Sequence, residues 1–89
     1  MRESQIEKAV CVYAKARGWL SIKLAGPGDR GKPDRLFLAK GGRVKFIEFK
    51  APGKKPTLLQ ADTLDRLWAF GFEVHVVDHP LQAKEIFGE

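Results

Sequence analysis

The amino-acid sequence predicts an α/β fold in one domain, residues 1–89, with the element order α-β-β-β-α-β-α. Apolar side chains recur at helical spacing near the N-terminus, which is typical of an amphipathic helix. Two apolar runs flank the tripeptide KGG, a pattern that indicates a β-hairpin. A second helical pattern ends at Gly71 and leads into another apolar run. A chain of this length buries roughly 60–65% of its unfolded surface, which is enough for one modest core.

The first helix is predicted over residues 4–17. Its apolar face consists of four residues at helical spacing: Ile6, Val10, Tyr13 and Ala14. Ser4 and Glu7 match the S-x-x-E capping box, and Gly18 follows the last turn as a typical helix terminator. Cys11 lies among apolar neighbours in this helix, so we expect it to be a buried structural thiol.

The remaining elements follow from strand alternation and from glycine- and proline-rich breaks. In chain order they are a strand over 19–25, a loop over 26–33, the strands DRLFLA and RVKFIEFK, a loop over 51–56, a helix from Leu58 to about Phe70, a strand over 72–77 and a closing helix from Pro80 to Phe87. Trp19, Trp68 and Phe70 fall at core spacing, so we expect them to pack in the interior. His75 alternates with valines in its strand, and we assign no chemistry to it.

The composition indicates which kind of partner, which cellular location and which kinds of cross-link or metal site to expect. Lysine and arginine outnumber aspartate and glutamate by 16 to 11, which favours a polyanionic partner because cationic side chains displace counterions from phosphates. No apolar run approaches the ~20 residues of a membrane span, and the N-terminal residues do not resemble a signal peptide, so we expect an intracellular protein. The single cysteine excludes an intramolecular disulfide, and the two histidines have no cysteine partner at zinc spacing.

The register of the central hairpin has two alternatives. A two-residue loop, Gly41-Gly42, sets Leu38 against Lys45. A three-residue loop, Lys40-Gly41-Gly42, sets Leu38 against Val44 and gathers four apolar residues on one face. Because a slip of one residue moves every side chain to the other face, burial favours the three-residue loop.

The choice of register decides which charges meet at the far end of the hairpin. The three-residue loop sets Asp34 opposite Glu48, with Cβ atoms ~4.5–5.5 Å apart, whereas the two-residue loop sets Asp34 opposite Phe49. Two carboxylates so placed repel each other unless a cation lies between them, and Mg²⁺ prefers oxygen ligands. Lys50 lies two positions beyond Glu48 on the same face. Asp34, Glu48 and Lys50 could therefore form a metal site that hydrolyses a phosphodiester. The alternative is that they are three solvated charges at the ends of strands.

These residues resemble a known family of nucleases. Pro33-Asp34, thirteen intervening residues and Glu48-Phe49-Lys50 match the signature of the PD-(D/E)xK nuclease superfamily. The segments GKPD, IEFK and PTLLQ, followed by a helix, Gly71 and a strand, are similar to the VRR-NUC (virus-type replication-repair nuclease) domain of stand-alone phage and bacterial proteins. The resemblance implies a restriction-endonuclease-like core, a mixed central sheet flanked by helices, and Mg²⁺ or Mn²⁺ as the cofactor. It also implies a bacterial cell or a phage-infected host as the location.

The resemblance implies a role for each residue of the motif. Asp34 and Glu48 correspond to metal ligands, together with the backbone carbonyl of Phe49. Lys50 corresponds to the catalytic lysine, which orients the attacking water or stabilises the developing negative charge.

Two further site residues are implied with structural alternatives beside them. The first-helix glutamate of such nucleases corresponds best to Glu7, with Glu3 as the weaker candidate. Gln60 corresponds to a family glutamine that lies near the catalytic lysine. Glu7 and Gln60 are also the acceptor positions of S-x-x-E and T-x-x-Q capping boxes, the second of which begins at Thr57.

The expected partner is DNA, and the candidate phosphate contacts are basic residues on the two loops that flank the motif. They are Lys23, Arg30, Lys32, Lys54 and Lys55. Stand-alone proteins of this family resemble junction resolvases, which implies a homodimer that cuts four-way junctions symmetrically. The alternatives are a flap, nicking or single-strand nuclease, and a non-catalytic basic module that binds branched DNA.

Overall fold

Seven elements follow one another in the order that the sequence predicts. A computed structural model describes residues 1–24 and 26–89. The elements are α1 (Glu3–Ala16), β1 (Leu20–Lys23), β2 (Arg35–Ala39), β3 (Arg43–Phe49), α2 (Leu58–Ala69), β4 (Glu73–Val77) and α3 (Gln82–Phe87). The expected order α-β-β-β-α-β-α is confirmed. The first strand was expected over 19–25, and its last residue, Ala25, lies outside the described residues.

The four strands form one mixed sheet in the order β1-β2-β3-β4. β1, β2 and β3 pair antiparallel, whereas β4 pairs parallel to β3. A parallel neighbour needs a crossover connection, and α2 provides it. The predicted mixed sheet flanked by helices is therefore confirmed. None of the helices in the described ranges combines the length and apolar character that crossing a bilayer requires.

The hairpin between β2 and β3 has the three-residue loop. Leu38 pairs with Val44 and Leu36 with Phe46, so the predicted register is confirmed. The loop glycines Gly41 and Gly42 have φ values of 84° and 72°. Side chains other than glycine rarely adopt this left-handed conformation, which explains why the loop contains two glycines.

Helices cover the two faces of the sheet unequally. α1 and α3 pack on one face around a core of eleven buried residues: Ile6, Val10, Ala14, Trp19, Phe37, Ile47, Phe49, Val77, Ala83, Ile86 and Phe87. Because side chains alternate along a strand, Phe46 and Glu48 lie on the other face, where α2 packs beside β4 through the buried Leu64. The β1 and β2 side of this second face is left open, and Leu20 and Ile22 on it are 61% and 41% exposed.

Two expectations about packing are wrong. Trp68 and Phe70 are 68% and 74% exposed, because α2 is anchored through Leu64 and leaves its C-terminal end outside the core. Trp19, by contrast, is buried as expected. Cys11 was expected to be buried, but it is only partly buried where it packs against the core.

The predicted cap of the first helix is also wrong. α1 begins at Glu3, and the N–H of Arg2 donates to Gln5 Oε1 at 2.7 Å. Ser4 and Glu7 therefore lie within the helix, and Glu7 does not cap it. Its carboxylate instead reaches the sheet.

Candidate active site

The candidate site lies where the chain enters β2 and leaves β3. Asp34 immediately precedes β2, and its Oδ2 accepts a hydrogen bond from the N–H of Phe49 at 2.7 Å. Its backbone carbonyl accepts from the N–H of Leu24 at 2.9 Å. Asp34 is thus fixed by the residue after β1 and by the last residue of β3, one position before the pair of Arg35 and Ile47 that ends the register of β2 and β3. Burial raises the pKa of Asp34 above its ordinary value, although the hydrogen bond from Phe49 acts in the other direction.

Glu48 is the most strongly perturbed carboxylate of the group. The residue is 1% exposed. Its Oε1 is buried and accepts no hydrogen bond from any described residue, which is rare for a polar atom in a protein interior. Burial, followed by the negative charge of Asp34, raises the pKa of Glu48 from 4.5 to about 7. The site therefore holds a carboxylate that lacks a full set of partners.

Lys50 follows β3 and supplies the positive charge nearest to Glu48. Its Nζ lies 3.2 Å from Glu48 Oε2, and its side chain is only 15% exposed. Its backbone N–H donates to the carbonyl of Val77 at 2.9 Å, which continues the pairing between β3 and β4 by one residue. The ammonium group is consequently held beside the carboxylates by a backbone that is itself tied to the sheet.

The two candidate glutamates of α1 have different surroundings. Glu7 Oε2 accepts a hydrogen bond from Arg35 Nε at 2.6 Å and lies 3.4 Å from Lys23 Nζ. Glu3 forms no salt bridge with any other residue that the structure describes. Burial, followed by the negative charge of Asp34, raises the pKa of Glu3. Glu7 therefore interacts with the side chains of Arg35 and Lys23. Glu3 has no such partner among the described residues, and the negative charge of Asp34 contributes to its raised pKa.

Arg35 is a residue of the site that the sequence reasoning missed. It is the first residue of β2, directly after Asp34, and it connects β2 to α1 through Glu7. Strand alternation places Arg35 on the same face as the buried Phe37. A charged residue on an apolar face is the signal that could have predicted a buried acidic partner.

Gln60 forms the capping box that the sequence predicts. Its N–H donates to Thr57 Oγ1 at 3.2 Å, and the N–H of Thr57 donates back to Gln60 Oε1 at 3.0 Å. The amide Nε2 remains as the donor that a ligand could use. The structure gives no contact between Gln60 and Lys50, so a catalytic role for Gln60 stays a prediction.

The predicted DNA-contacting residues divide into two groups. Lys23 and Lys32 are exposed but already lie near an acid, Lys23 at 3.4 Å from Glu7 and Lys32 at 3.4 Å from Asp29. The other three are exposed and form no salt bridge with a described residue: Arg30, Lys54 and Lys55. A contact of any of the five with phosphate stays a prediction.

Comparison with known proteins identifies the family. No protein-family model matches the chain. The chain is 42% identical over 78 residues to "Putative nuclease p44" of Acyrthosiphon pisum secondary endosymbiont phage 1, an alignment that covers 88% of this chain and 84% of the phage protein. A solved structure described as "VRR_NUC domain" superposes with a TM-score of 0.84 at 29% identity, over 94% of this chain and 91% of that one. The chain belongs to the VRR-NUC family.

A second structure supports the fold of this VRR-NUC chain. It is described as "VRR_NUC domain protein" and superposes with a TM-score of 0.76, over 97% of this chain and 84% of that one. Its identity is 18%, so the likeness concerns the fold alone. The predicted family and the predicted fold class are both confirmed.

The residues of this VRR-NUC site fit a divalent cation in their chemistry. Within residues 1–24 and 26–89, three or more His, Cys, Asp or Glu side chains do not converge on one ion-binding position. The observation that fits a cation is the buried Glu48 Oε1, which accepts no hydrogen bond. A hard cation would supply the missing partner, and Asp34 with the carbonyl of Phe49 would add two more oxygen ligands.

Proposed function

We propose that this VRR-NUC protein is a metal-dependent DNA endonuclease that hydrolyses phosphodiester bonds in branched DNA and acts as a homodimer. The observation that carries the proposal is the group formed by Asp34, Glu48 and Lys50. One of its carboxylate oxygens is buried without a partner among the described residues, and an ammonium group lies 3.2 Å from the other oxygen of the same side chain. A simple solvated strand end does not require either feature.

The carboxylates are the metal-binding part of the proposal. Asp34, Glu48 and the backbone carbonyl of Phe49 would hold Mg²⁺ or Mn²⁺, because hard cations take oxygen ligands. When bound, the cation lowers the pKa of a water molecule and offsets the negative charge of the phosphate. The hydrogen bond from the N–H of Phe49 fixes Asp34 Oδ2, so the carboxylate is oriented before any ligand arrives.

Lys50 is the catalytic residue that acts on the phosphate. Water loses a proton and attacks phosphorus, the bond to one ester oxygen breaks, and that oxygen takes up a proton and leaves as an alcohol. Negative charge grows on the phosphate oxygens as the step proceeds. An ammonium group in a site that is largely shielded from solvent stabilises this charge more strongly than it does in water. The ion pair with Glu48 Oε2 holds Lys50 Nζ in place for that role.

Glu7 is the first-helix acid of the proposal. Its Oε2 is committed to Arg35 and Lys23, and its Oε1 is the oxygen that could face a cation or a water on that cation. Glu3, whose pKa is raised by burial and by the charge of Asp34, is the alternative residue for this role.

The exposed basic residues on the two loops supply the contacts to DNA. Arg30 precedes Asp34 by four residues, and Lys54 and Lys55 follow Lys50 by four and five. Contacts between such side chains and phosphates position a protein on DNA without reading base sequence. Selection by the shape of the DNA fits this arrangement.

The open face of the sheet supports a homodimer. Leu20 and Ile22 are exposed on it, and Leu36, Leu38 and Val44 are only partly buried beside them. An apolar sheet face of this kind is a typical interaction surface. A second copy related by a two-fold axis would cover it and present two active sites, which suits the symmetric cutting of a four-way junction.

The test is incubation with a four-way junction, a flap, a nicked duplex, a single strand and a linear duplex, each with Mg²⁺, Mn²⁺ or EDTA. We expect metal-dependent cleavage of a branched substrate, and loss of that cleavage in a folded Asp34→Ala variant. If the protein instead cleaves the flap, the nicked duplex or the single strand fastest, that DNA is its substrate and the four-way junction is not. Binding without cleavage under every metal would contradict the enzyme and leave a DNA-binding module.

A further inference from the structure

A groove lies between the loop that precedes Asp34 and the first turn of α2. Its volume is about 420 Å³, and five residues line it: Asp29, Arg30, Thr57, Leu59 and Gln60. The loop packs tightly on the helix at Gly31, where an added Cβ atom would lie 3.2 Å from Leu59 Cγ and from Thr63 Oγ1. The groove is within the roughly 300–1,000 Å³ that pockets for small ligands occupy.

Both walls of the groove are close in sequence to the candidate active site. Arg30 precedes Asp34 by four residues, and Thr57 follows Lys50 by seven. Four residues span at most ~14 Å, so Arg30 lies within about two nucleotides of a phosphate that is bound at Asp34. The groove is therefore within reach of a DNA strand that is bound at Asp34.

The walls of the groove combine apolar surface with hydrogen-bond donors. Leu59 is 53% exposed, and its neighbour Leu58, the first residue of α2, is 92% exposed. The guanidinium group of Arg30 and the amide Nε2 of Gln60 supply the donors. Lys54 and Lys55 add positive charge just before the helix. Apolar surface for a base, donors for its edge and cations for its phosphate together match an unpaired nucleotide.

We propose that this groove binds one unpaired nucleotide at the branch point of the DNA, an inference that rests on the proposed function. The base lies against Leu59, Gln60 Nε2 donates to an acceptor on its edge, and Arg30 contacts its phosphate. In a continuous duplex the bases remain stacked and paired, and extruding one of them costs free energy. The groove thereby favours branched DNA over linear duplex.

The test compares two four-way junctions in EDTA, one fully paired and one with a single unpaired adenine at the branch point. Fluorescence anisotropy gives the dissociation constant of each. We expect the chain to bind the junction with the unpaired adenine about fivefold or more tightly, in line with the strength of base contacts in single-strand binding proteins. Equal affinity for the two junctions would overturn the proposal.

Substitutions in the groove test whether it is the source of the preference for the junction with the unpaired adenine. Leu59→Ala removes the apolar wall of the groove, and Leu59 is 53% exposed, so the fold depends little on it. We expect the preference to approach unity in this variant. The matched control is Phe70→Ala, which truncates a 74% exposed apolar residue at the opposite end of α2 and should retain the preference. A Leu59→Ala variant that keeps the preference, or that weakens binding to both junctions equally, would overturn the proposal.

These binding measurements contain no metal, so their outcome is independent of cleavage. A protein that shows the preference but never cleaves DNA would contradict the proposed nuclease and retain the groove. A protein that cleaves DNA but binds the two junctions equally would contradict the groove and retain the proposed nuclease.

Discussion

Glu48 is the residue on which the candidate site depends most. An unpartnered buried carboxylate oxygen costs free energy that the rest of the fold must offset. Such perturbed acids concentrate at functional sites, although ion-pair networks also produce them. Here the ion pair with Lys50 satisfies one oxygen only, and the other oxygen has no hydrogen-bond partner among the described residues.

The raised pKa of Glu48 predicts how stability depends on pH when no divalent cation is present. Between the ordinary pKa of 4.5 and the folded value of about 7, folded Glu48 retains a proton that the unfolded chain has released. This residue therefore lowers the free energy of unfolding as pH rises through that window, by up to about 3 kcal/mol at 1.36 kcal/mol per pKa unit. Above the window its contribution stays constant.

Urea denaturation of the wild type and of Glu48→Gln in EDTA, at about pH 5 and about pH 8, measures this contribution. We expect Glu48→Gln to be the more stable protein at the higher pH and to lose less stability between the two. The pKa values of Glu3 and Asp34 are raised in the same direction and that of Glu73 is lowered, but all three groups are present in both proteins. An identical pH dependence in the two proteins would contradict the assigned shift.

The pair of Glu7 and Arg35 predicts a second effect at the level of single residues. Glu7→Gln leaves the partly buried guanidinium group without its anionic partner, so we expect the free energy of unfolding to fall by about 1–3 kcal/mol. We also expect weaker binding of Mn²⁺ in calorimetric titration. Glu3→Gln is the matched variant on the same helix. If Glu3→Gln weakens Mn²⁺ binding more than Glu7→Gln does, the first-helix acid is Glu3.

Residue-level prediction succeeded where local pattern determined the outcome. The apposition of Asp34 and Glu48 followed from hydrophobic alternation and from loop length, and the structure retains both. The contact between Glu7 and Arg35 joins residues 28 positions apart, and no local pattern specifies it. The helix start was missed because the S-x-x-E pattern of Ser4 and Glu7 lies inside the helix, and the contact between Arg2 and Gln5 that the structure shows at its start matches no common capping pattern.

At the level of elements, the hairpin loop sets the register that brings the site together. Its two glycines have positive φ values, and a Cβ atom added at either would meet nothing within 4 Å. The cost of a larger residue there is therefore conformational and not steric.

We expect Gly42→Ala to lower the free energy of unfolding by about 1–2 kcal/mol, because alanine resists the left-handed conformation. Gly42→Asn should cost less, since asparagine adopts this conformation more readily. Urea denaturation of the two variants and the wild type measures both values. Equal loss in Gly42→Ala and Gly42→Asn would show that backbone conformation is not the cause.

At the level of the whole molecule, the uneven covering of the sheet is the main feature that the sequence did not predict. Trp68 and Phe70 were expected inside, since their spacing suits a core, yet α2 covers only part of its face of the sheet. How far a helix extends over a sheet depends on tertiary packing and on partners, neither of which local periodicity encodes. The same open face is the basis of the proposed homodimer.

A charged substitution on the open face tests the homodimer. We expect Ile22→Lys to shift the wild-type dimer to monomer in sedimentation velocity, because it places a charge in an apolar interface. Leu81→Lys is the control, since Leu81 is 65% exposed just before α3, which packs on the other face of the sheet. A wild-type protein that is monomeric at every concentration would contradict the homodimer.

In the proposed mechanism, Lys50 and its two carboxylates hydrolyse DNA with the help of a divalent cation. The most direct measurement is the single-turnover rate at which wild type, Lys50→Met and the control Lys84→Met cleave a labelled four-way junction in Mg²⁺, Mn²⁺ or EDTA. Lys84 is exposed on α3, which packs on the face of the sheet opposite Glu48, so its loss should not change the rate. We expect cleavage in the presence of a cation only, and a rate at least about 100-fold lower in Lys50→Met, as for the loss of other groups that stabilise transition-state charge. Undiminished cleavage by Lys50→Met, or cleavage by the wild type in EDTA, would contradict this mechanism.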